Sequence, residues 1–286
     1  MSKHSISLAP ITPVIGAMVS DIDLNADLAD GAIDDIYEAL VRHRVLVFAN
    51  QPLEPVAHQA LAARFGEIDK PHQIYPHAEG APNVTMLEND EDRPPDTAEW
   101  HTDLTFYEDP PFASILRSVT VPEVGGDTLW MSLSAAFDAL SNGMKADLEG
   151  LFAHHDMGSF RNNFVQPDGS HTVNEAMAEM GHALHPIVKD HPITGEKLLY
   201  VNSAYTQEII GMTKGESDRL LAYLFNHMTQ PEFQMRLRWT PNTVVMWDNR
   251  STMHYACADY LPGYRKMHRV TVINDRRHHQ RAVADE

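Results

Sequence analysis

The stretch Glu99-Trp100-His101-Thr102-Asp103-Leu104-Thr105-Phe106 carries an imidazole and a carboxylate two residues apart. It reads as strand or strand edge, where residues i and i+2 point to the same face, so His101 and Asp103 can aim at one point as adjacent metal ligands do. A second His-x-Asp pair stands at His154-His155-Asp156. With 17 His and 23 Asp in 286 residues, chance supplies roughly one such pair. Spacing alone therefore leaves two pairs open, and leaves a solvated polar pair open beside a metal site.

Composition narrows the chemistry. The only cysteine is Cys257, which excludes an intrachain disulfide and a cysteine-based zinc or iron-sulfur site, so any metal must be held by His and carboxylate. The formal charge is 22 − 40 = −18, and so acidic a surface repels nucleic acid and anionic membranes. Basic residues nevertheless collect in "RHRVLVF", "QMRLRW", "YRKMHR" and "DRRHHQR", three of the four after residue 230. A local cationic pocket for a small anion is compatible with that distribution. The sequence has no run of 18 or more apolar residues and no apolar stretch ending in a cleavage site within its first 20, so a cytoplasmic location is expected.

The elements that would position these residues are mostly strands. "GAIDDIYEALVRHR" places Ile33, Ile36 and Leu40 at helical spacing, and Val45-Leu46-Val47-Phe48 after it reads as a buried strand. A second helix is expected through "PVAHQALAARFG", a third near 132–140, and a fourth from the capping box Thr213-x-x-Glu216 through Met228. Strands are expected at 83–88, 113–119, 127–131, 234–239, 243–247 and 266–273. Strands outnumber helices, which points to a mainly β chain with flanking helices, built on a sandwich or jelly-roll core. The absence of repeats or linkers favours one domain over 1–286, and the polar span 154–185 reads as an insert, a lid or a solvated loop.

The segment 244–272, "VVMWDNRSTMHYACADYLPGYRKMHRVTV", then favours the first His-x-Asp pair. If His254 comes from a strand facing His101 and Asp103, two imidazoles and one carboxylate occupy one face of a metal and leave the opposite positions open, as in non-haem Fe(II) oxygenases. Arg265, eleven residues on and on the neighbouring strand segment, can pair bidentately with a carboxylate, such as the far end of a chelating 2-oxo acid.

At these residues the sequence resembles the taurine/2-oxoglutarate dioxygenase group, which includes aryloxyalkanoate dioxygenases and alkylsulfatases. The resemblance runs through "GAMVSDIDL", "RHRVLVFANQPL", "FGEIDKPH", "YPHAEG", "PPDTAEWHTDLTF", "GGDTLW", "YVNSAY" and the 244–272 segment, and "YPHAEG" and "HYACADYLP" look closest to the taurine branch. It implies a double-stranded β-helix, that is, a jelly roll. It implies Fe(II) held by His101, Asp103 and His254, with 2-oxoglutarate and O2 as cosubstrates. The C5 carboxylate of 2-oxoglutarate is then anchored by Arg265 and Thr128. His72 and Arg269 match the sulfonate-binding pair and Phe160 a pocket aromatic. Thr97 stands where Asn is expected and Tyr205 where Phe is expected, departures that can redirect substrate choice.

The implied reaction is hydroxylation of a small anionic substrate, an aliphatic sulfonate and taurine above all, to sulfite and aminoacetaldehyde with succinate and CO2. An alkyl sulfate or aryloxyalkanoate substrate, or a non-catalytic metal-binding jelly roll, are the alternatives. A homo-oligomer is also implied. His154 and Asp156 have no counterpart in the resemblance. Lone histidines such as His58 and His227 read as surface or satisfied helix residues, Cys257 as packing, and His278 and His279 as a solvated tail.

Overall fold

The computed structural model describes residues 6–71, 75–95, 98–158 and 181–276. Among them no helix is long and apolar enough to cross a membrane. In chain order the strands are β1 (Ser7–Pro10), β2 (Ala17–Ser20), β3 (Val45–Phe48), β4 (His77–Ala78), β5 (Ala81–Asn89), β6 (Ala113–Thr120), β7 (Thr128–Ser132), β8 (Phe152–His155), β9 (Ala183–Pro186), β10 (Val188–Asp190), β11 (Lys197–Leu199), β12 (Thr206–Ile209), β13 (Gln234–Leu237), β14 (Val244–Asp248), β15 (Thr252–Ala256) and β16 (Arg265–Val272). The helices are α1 (Asp30–His43), α2 (Pro55–Ala63), α3 (Leu133–Asp138), α4 (Asn142–Leu148) and α5 (Lys214–Met228).

The mainly β reading is right, and the core is a jelly roll. The large sheet runs β1-β2-β3-β14-β6-β16-β5-β4, and a smaller one runs β13-β7-β15. Consecutive strands cross between the two: β6 to β7, then β13, β14, β15 and β16 in alternation. This crossing corrects one expectation. His254 on β15 and Arg265 on β16 lie on opposing sheets, not on neighbouring strands of one, because every connection in this part of the chain swaps sheets.

Side-chain alternation explains why β3 and β14 read as unbroken apolar runs. Leu46, Phe48, Val244 and Met246 pack towards α1 and α2, while Val45, Val47, Val245 and Trp247 pack between the sheets with Trp130 and Met267. A strand covered on both faces has no polar side to show. The outer face of the small sheet is sealed in the same way, with Met131 and Met253 packed against Leu133 and Phe137 of α3 and Leu224 of α5. The capping box is present at the start of α5, where the Thr213 N–H donates to Glu216 Oε2 at 2.9 Å. Strands β1, β2, β4 and β8 to β12 and helix α4 fall outside the expected elements, since such short elements carry little periodic signal.

Candidate active site

His101 is not in a strand of its own. It forms an isolated antiparallel bridge with His254, in which the His101 N–H donates to the His254 carbonyl at 3.0 Å and the His254 N–H to the His101 carbonyl at 2.8 Å. Residues directly opposite in such a pair project side chains to the same side, and the two rings lie 4.1 Å apart between centroids. The chain turns immediately afterwards, with Leu104 at φ 57°. The same-face expectation for His101 and Asp103 therefore holds by a different route: a bridge and then a turn, rather than extended strand.

Asp103 Oδ1 lies 3.6 Å from His101 Nε2 and 3.9 Å from His254 Nε2. All three side chains are buried, and their donor atoms fall within 4.8 Å of one another. Bonds of ~2.1 Å at right angles place neighbouring donors ~3.0 Å apart, so a small inward shift closes the three on one ion. His101 Nδ1 sits 2.8 Å from the Glu99 carbonyl. A carbonyl only accepts, so Nδ1 carries the proton and Nε2 keeps its lone pair for a metal. His254 Nδ1 has no hydrogen-bond partner among the described residues, and packing sets its ring instead, with Trp247 at 5.0 Å.

The charges suit the same purpose. Burial alone would raise the Asp103 carboxyl, but Arg269 first, then His254 and His101, more than offset it and hold the group at about 2. For His254 burial is the largest influence, reinforced by His101, and the ring is pushed down to about 3. An ionised carboxylate beside a neutral imidazole is the state in which both can coordinate a cation.

These three side chains form part of the wall of a cavity of about 890 Å³, its open mouth included. Arg265, Arg269, Thr128 and Tyr205 line it as well. Arg265 is only 6% exposed. Its Nε has no hydrogen-bond partner among the described residues, and burial pulls its pKa down. A buried guanidinium with an orphaned donor is costly unless an anion completes it, and the carboxylate of a 2-oxo acid fits that need. Thr128 Oγ1 accepts from Trp239 Nε1 at 2.9 Å, which leaves its hydroxyl hydrogen as the remaining donor. Arg269 Nη1 is 3.5 Å from Asp103 Oδ1, so the second guanidinium stands beside the His101, Asp103 and His254 cluster. Tyr205 meets His101 and Phe106 edge-on, at 6.1 and 5.2 Å.

His72, Thr97 and Phe160 lie outside the described residues, as do His278, His279 and most of the 154–185 segment. Among the described residues no third ligand completes a set with His154 and Asp156, and the His101, Asp103 and His254 group is the one set of three metal-competent side chains. Of the two readings of His58, the structure takes the helix one: it is buried on α2 with Nε2 3.1 Å from the Ile115 carbonyl, and the surface reading is excluded. Tyr75 also lines the cavity. A single tyrosine in a loop offers no spacing or charge pattern that would have marked it.

Residues 7–271 match the family model "Taurine catabolism dioxygenase TauD, TfdA family". An alkylsulfatase of Acinetobacter baylyi is 33% identical over 278 residues, covering 95% of this chain and 86% of the relative. An alpha-ketoglutarate-dependent 2,4-dichlorophenoxyacetate dioxygenase of Cupriavidus pinatubonensis is 31% identical, covering 95% and 99%. The crystal structure of a taurine dioxygenase from Burkholderia xenovorans superposes with a TM-score of 0.81 at 36% identity, covering 95% of this chain and 90% of that one.

Proposed function

Since the chain belongs to the taurine catabolism dioxygenase TauD, TfdA family, we propose that its substrate is a small aliphatic sulfonate, with taurine the first candidate. It is a 2-oxoglutarate-dependent dioxygenase, and the reaction uses Fe(II), 2-oxoglutarate and O2. In this reading His101, Asp103 and His254 would hold the iron, and Arg265 and Thr128 the far carboxylate of 2-oxoglutarate. Arg269 would hold the sulfonate, with His72, Thr97, Phe160 and Tyr205 around the substrate. The observation that carries the reading is the pair of guanidiniums on one strand facing one cavity: Arg265 buried, its Nε without a partner among the described residues, and Arg269 beside the proposed iron ligands.

Fe(II) with 2-oxoglutarate supplies the oxidising power, activating O2 as the 2-oxo acid is decarboxylated to succinate and CO2. The chain supplies placement. Arg265 and Arg269 are four residues apart on β16, a rise of ~13 Å at ~3.3 Å per residue, and Met267 between them is packed into the inter-sheet core. The two anions are thereby held apart on a rigid strand, which sets the substrate carbon next to the triad and little else within reach. Hydroxylation replaces a C–H by C–OH at the carbon bearing sulfur. The C–S bond then breaks, sulfite leaves with the bonding pair, and the hydroxyl proton is lost to give the aldehyde, aminoacetaldehyde for taurine.

A second reading is an alkyl sulfate substrate. It is favoured by the alkylsulfatase at 33% identity, and a sulfate ester presents the same anionic head to Arg269. A panel of taurine, alkanesulfonates one or two carbons longer, an alkyl sulfate and phenoxyacetate, assayed for succinate and released sulfur oxyanion, separates them. With Arg269→Ala, kcat/KM for taurine should fall roughly tenfold to a hundredfold while KM for 2-oxoglutarate barely changes, because one charge-assisted contact of ~1.5–3 kcal/mol is lost. Full taurine activity in that variant, or a wild-type preference for phenoxyacetate over every sulfur compound, overturns the sulfonate assignment.

A further inference from the structure

We propose that Asn249 and Ser114 are positioning residues for Asp103. Asn249 clamps its backbone, and Ser114 holds Oδ2 aside so that Oδ1 alone faces the ion. The inference rests on the reading of His101, Asp103 and His254 as the iron site.

Asp103 opens a turn and has no strand partner, so its buried backbone groups must be satisfied by something else. Asn249 does this with its carboxamide. The Asp103 N–H donates to Asn249 Oδ1 at 2.9 Å, and Asn249 Nδ2 donates back to the Asp103 carbonyl at 3.0 Å and to the Pro111 carbonyl at 3.1 Å. The side chain thus imitates an edge strand for a single residue. Asn249 is itself immobile: it is 0% exposed, and its own N–H donates to the Phe112 carbonyl at 2.9 Å.

Its chain neighbours are locked by buried charge. Asp248 pairs with Arg250 at 2.7 Å and with His191 at 3.1 Å, and Arg250 reaches Asp275 at 2.7 Å. Five residues after Asn249, β15 delivers His254. One turn therefore places two of the three ligands, and the third, His101, is bridged to His254.

Ser114, on β6, donates from Oγ to Asp103 Oδ2 at 3.1 Å. The oxygen facing the two His Nε2 atoms is the other one, Oδ1. With Oδ2 engaged, the carboxylate is fixed about its Cβ–Cγ bond and Oδ1 stays aimed at the two imidazoles; without that bond an incoming ion must order the carboxylate itself, at a cost in affinity.

Metal-free wild type, Ser114→Ala, Asn249→Ala and the control Ser118→Ala are titrated with Co(II) without 2-oxoglutarate or substrate, and each is melted without metal. Ser118 is equally buried on the same strand, but its hydroxyl serves the Thr240 carbonyl. Partners of metal ligands are typically worth ~10–100-fold in affinity, so the Co(II) Kd should rise about tenfold in Ser114→Ala and about tenfold to a hundredfold in Asn249→Ala. It should stay within about twofold in Ser118→Ala, while Ser114→Ala melts like Ser118→Ala. A Ser114→Ala affinity within about twofold of wild type, or a loss no greater than that of Ser118→Ala, overturns the proposal. Should Asn249→Ala fail to fold, Ser114→Ala decides alone. Asp103→Ala in the same titration separates the two readings, since retained Co(II) binding there would mean that the triad is not the metal site at all.

Discussion

Replacing Arg265 with alanine removes a guanidinium that is 6% exposed, lines the cavity and has an orphaned Nε. The cost of burying that cation is already present in the folded protein, so on the proposed reading, with Arg265 and Thr128 as its anchors, 2-oxoglutarate would gain nearly the full strength of the pair when it binds. Two charge-assisted hydrogen bonds of ~1.5–3 kcal/mol each set the scale. Because Thr128 remains as a second contact, the lower end applies, ~3 kcal/mol or roughly two orders of magnitude in KM for 2-oxoglutarate. The structure also predicts an unusual stability signature. Without ligand the variant loses an uncompensated buried charge and should melt no lower than wild type. With 2-oxoglutarate at ~100 times the wild-type Kd, wild type gains ~2.7 kcal/mol by mass action and the variant, then at about its own Kd, only ~0.4 kcal/mol. Steady-state kinetics in both cosubstrates, with thermal melts at two 2-oxoglutarate concentrations, measure each part. A change of less than about fivefold in KM for 2-oxoglutarate, together with a large rise in KM for the sulfonate, would refute the argument and reassign Arg265 to the substrate.

Two further outcomes follow from the geometry. His101→Ala and Asp103→Ala should abolish Fe(II)-dependent succinate formation in folded protein while His154→Ala retains it; equal losses in all three would mean that the triad has been misidentified. Acid should destabilise the fold through its buried neutral histidines. Burial pushes both His58 and His155 down to about 3 from an unfolded value of 6.5, and both are 0% exposed. A base whose folded pKa is depressed contributes stability that is complete above pH 6.5 and is lost as pH falls towards 3, because the unfolded chain takes up protons that the folded one does not. At ~1.4 kcal/mol per histidine per pH unit, the two together cost ~2–3 kcal/mol between pH 6.5 and 5.5. Urea midpoints at pH 7.5 and 5.5 test this, with His58→Gln expected to flatten the difference; identical wild-type midpoints would contradict it.

Much of the architecture can be read without coordinates, for identifiable reasons. The helices at 30–43 and 214–228 announce themselves by apolar spacing and, in the second, by Thr213 and Glu216 at its start. The buried strands β3 and β14 do so by apolar runs too short for helices. These are local signals, carried by residues a few positions apart. Strands β8 to β12 escape because they are short and lie in polar sequence, where a period of two cannot be told from loop.

For the site, residue types and local spacing limit the ligands to His and carboxylate, leave His101 with Asp103 and His154 with Asp156 as candidate pairs, and set Arg265 and Arg269 on one face of a strand; the choice of the first pair comes with the 244–272 segment and the family resemblance. Whether those groups converge is a long-range matter. His254 stands 153 positions from His101 (254 − 101) and meets it only through a backbone bridge, and Arg265 reaches the cavity from the opposing sheet. Nothing in the turn Asp248-Asn249-Arg250 reveals that its asparagine grips Asp103, because a carboxamide partner 146 residues away leaves no periodicity or charge pattern. The sequence by itself determined the chemistry available to this protein, since side-chain type and nearest-neighbour geometry are properties of the chain. Tertiary structure alone decided which of those groups share one cavity, which nitrogen of His101 is left for a metal and which oxygen of Asp103 is held back, since those depend on contacts made only once the two sheets have closed on each other.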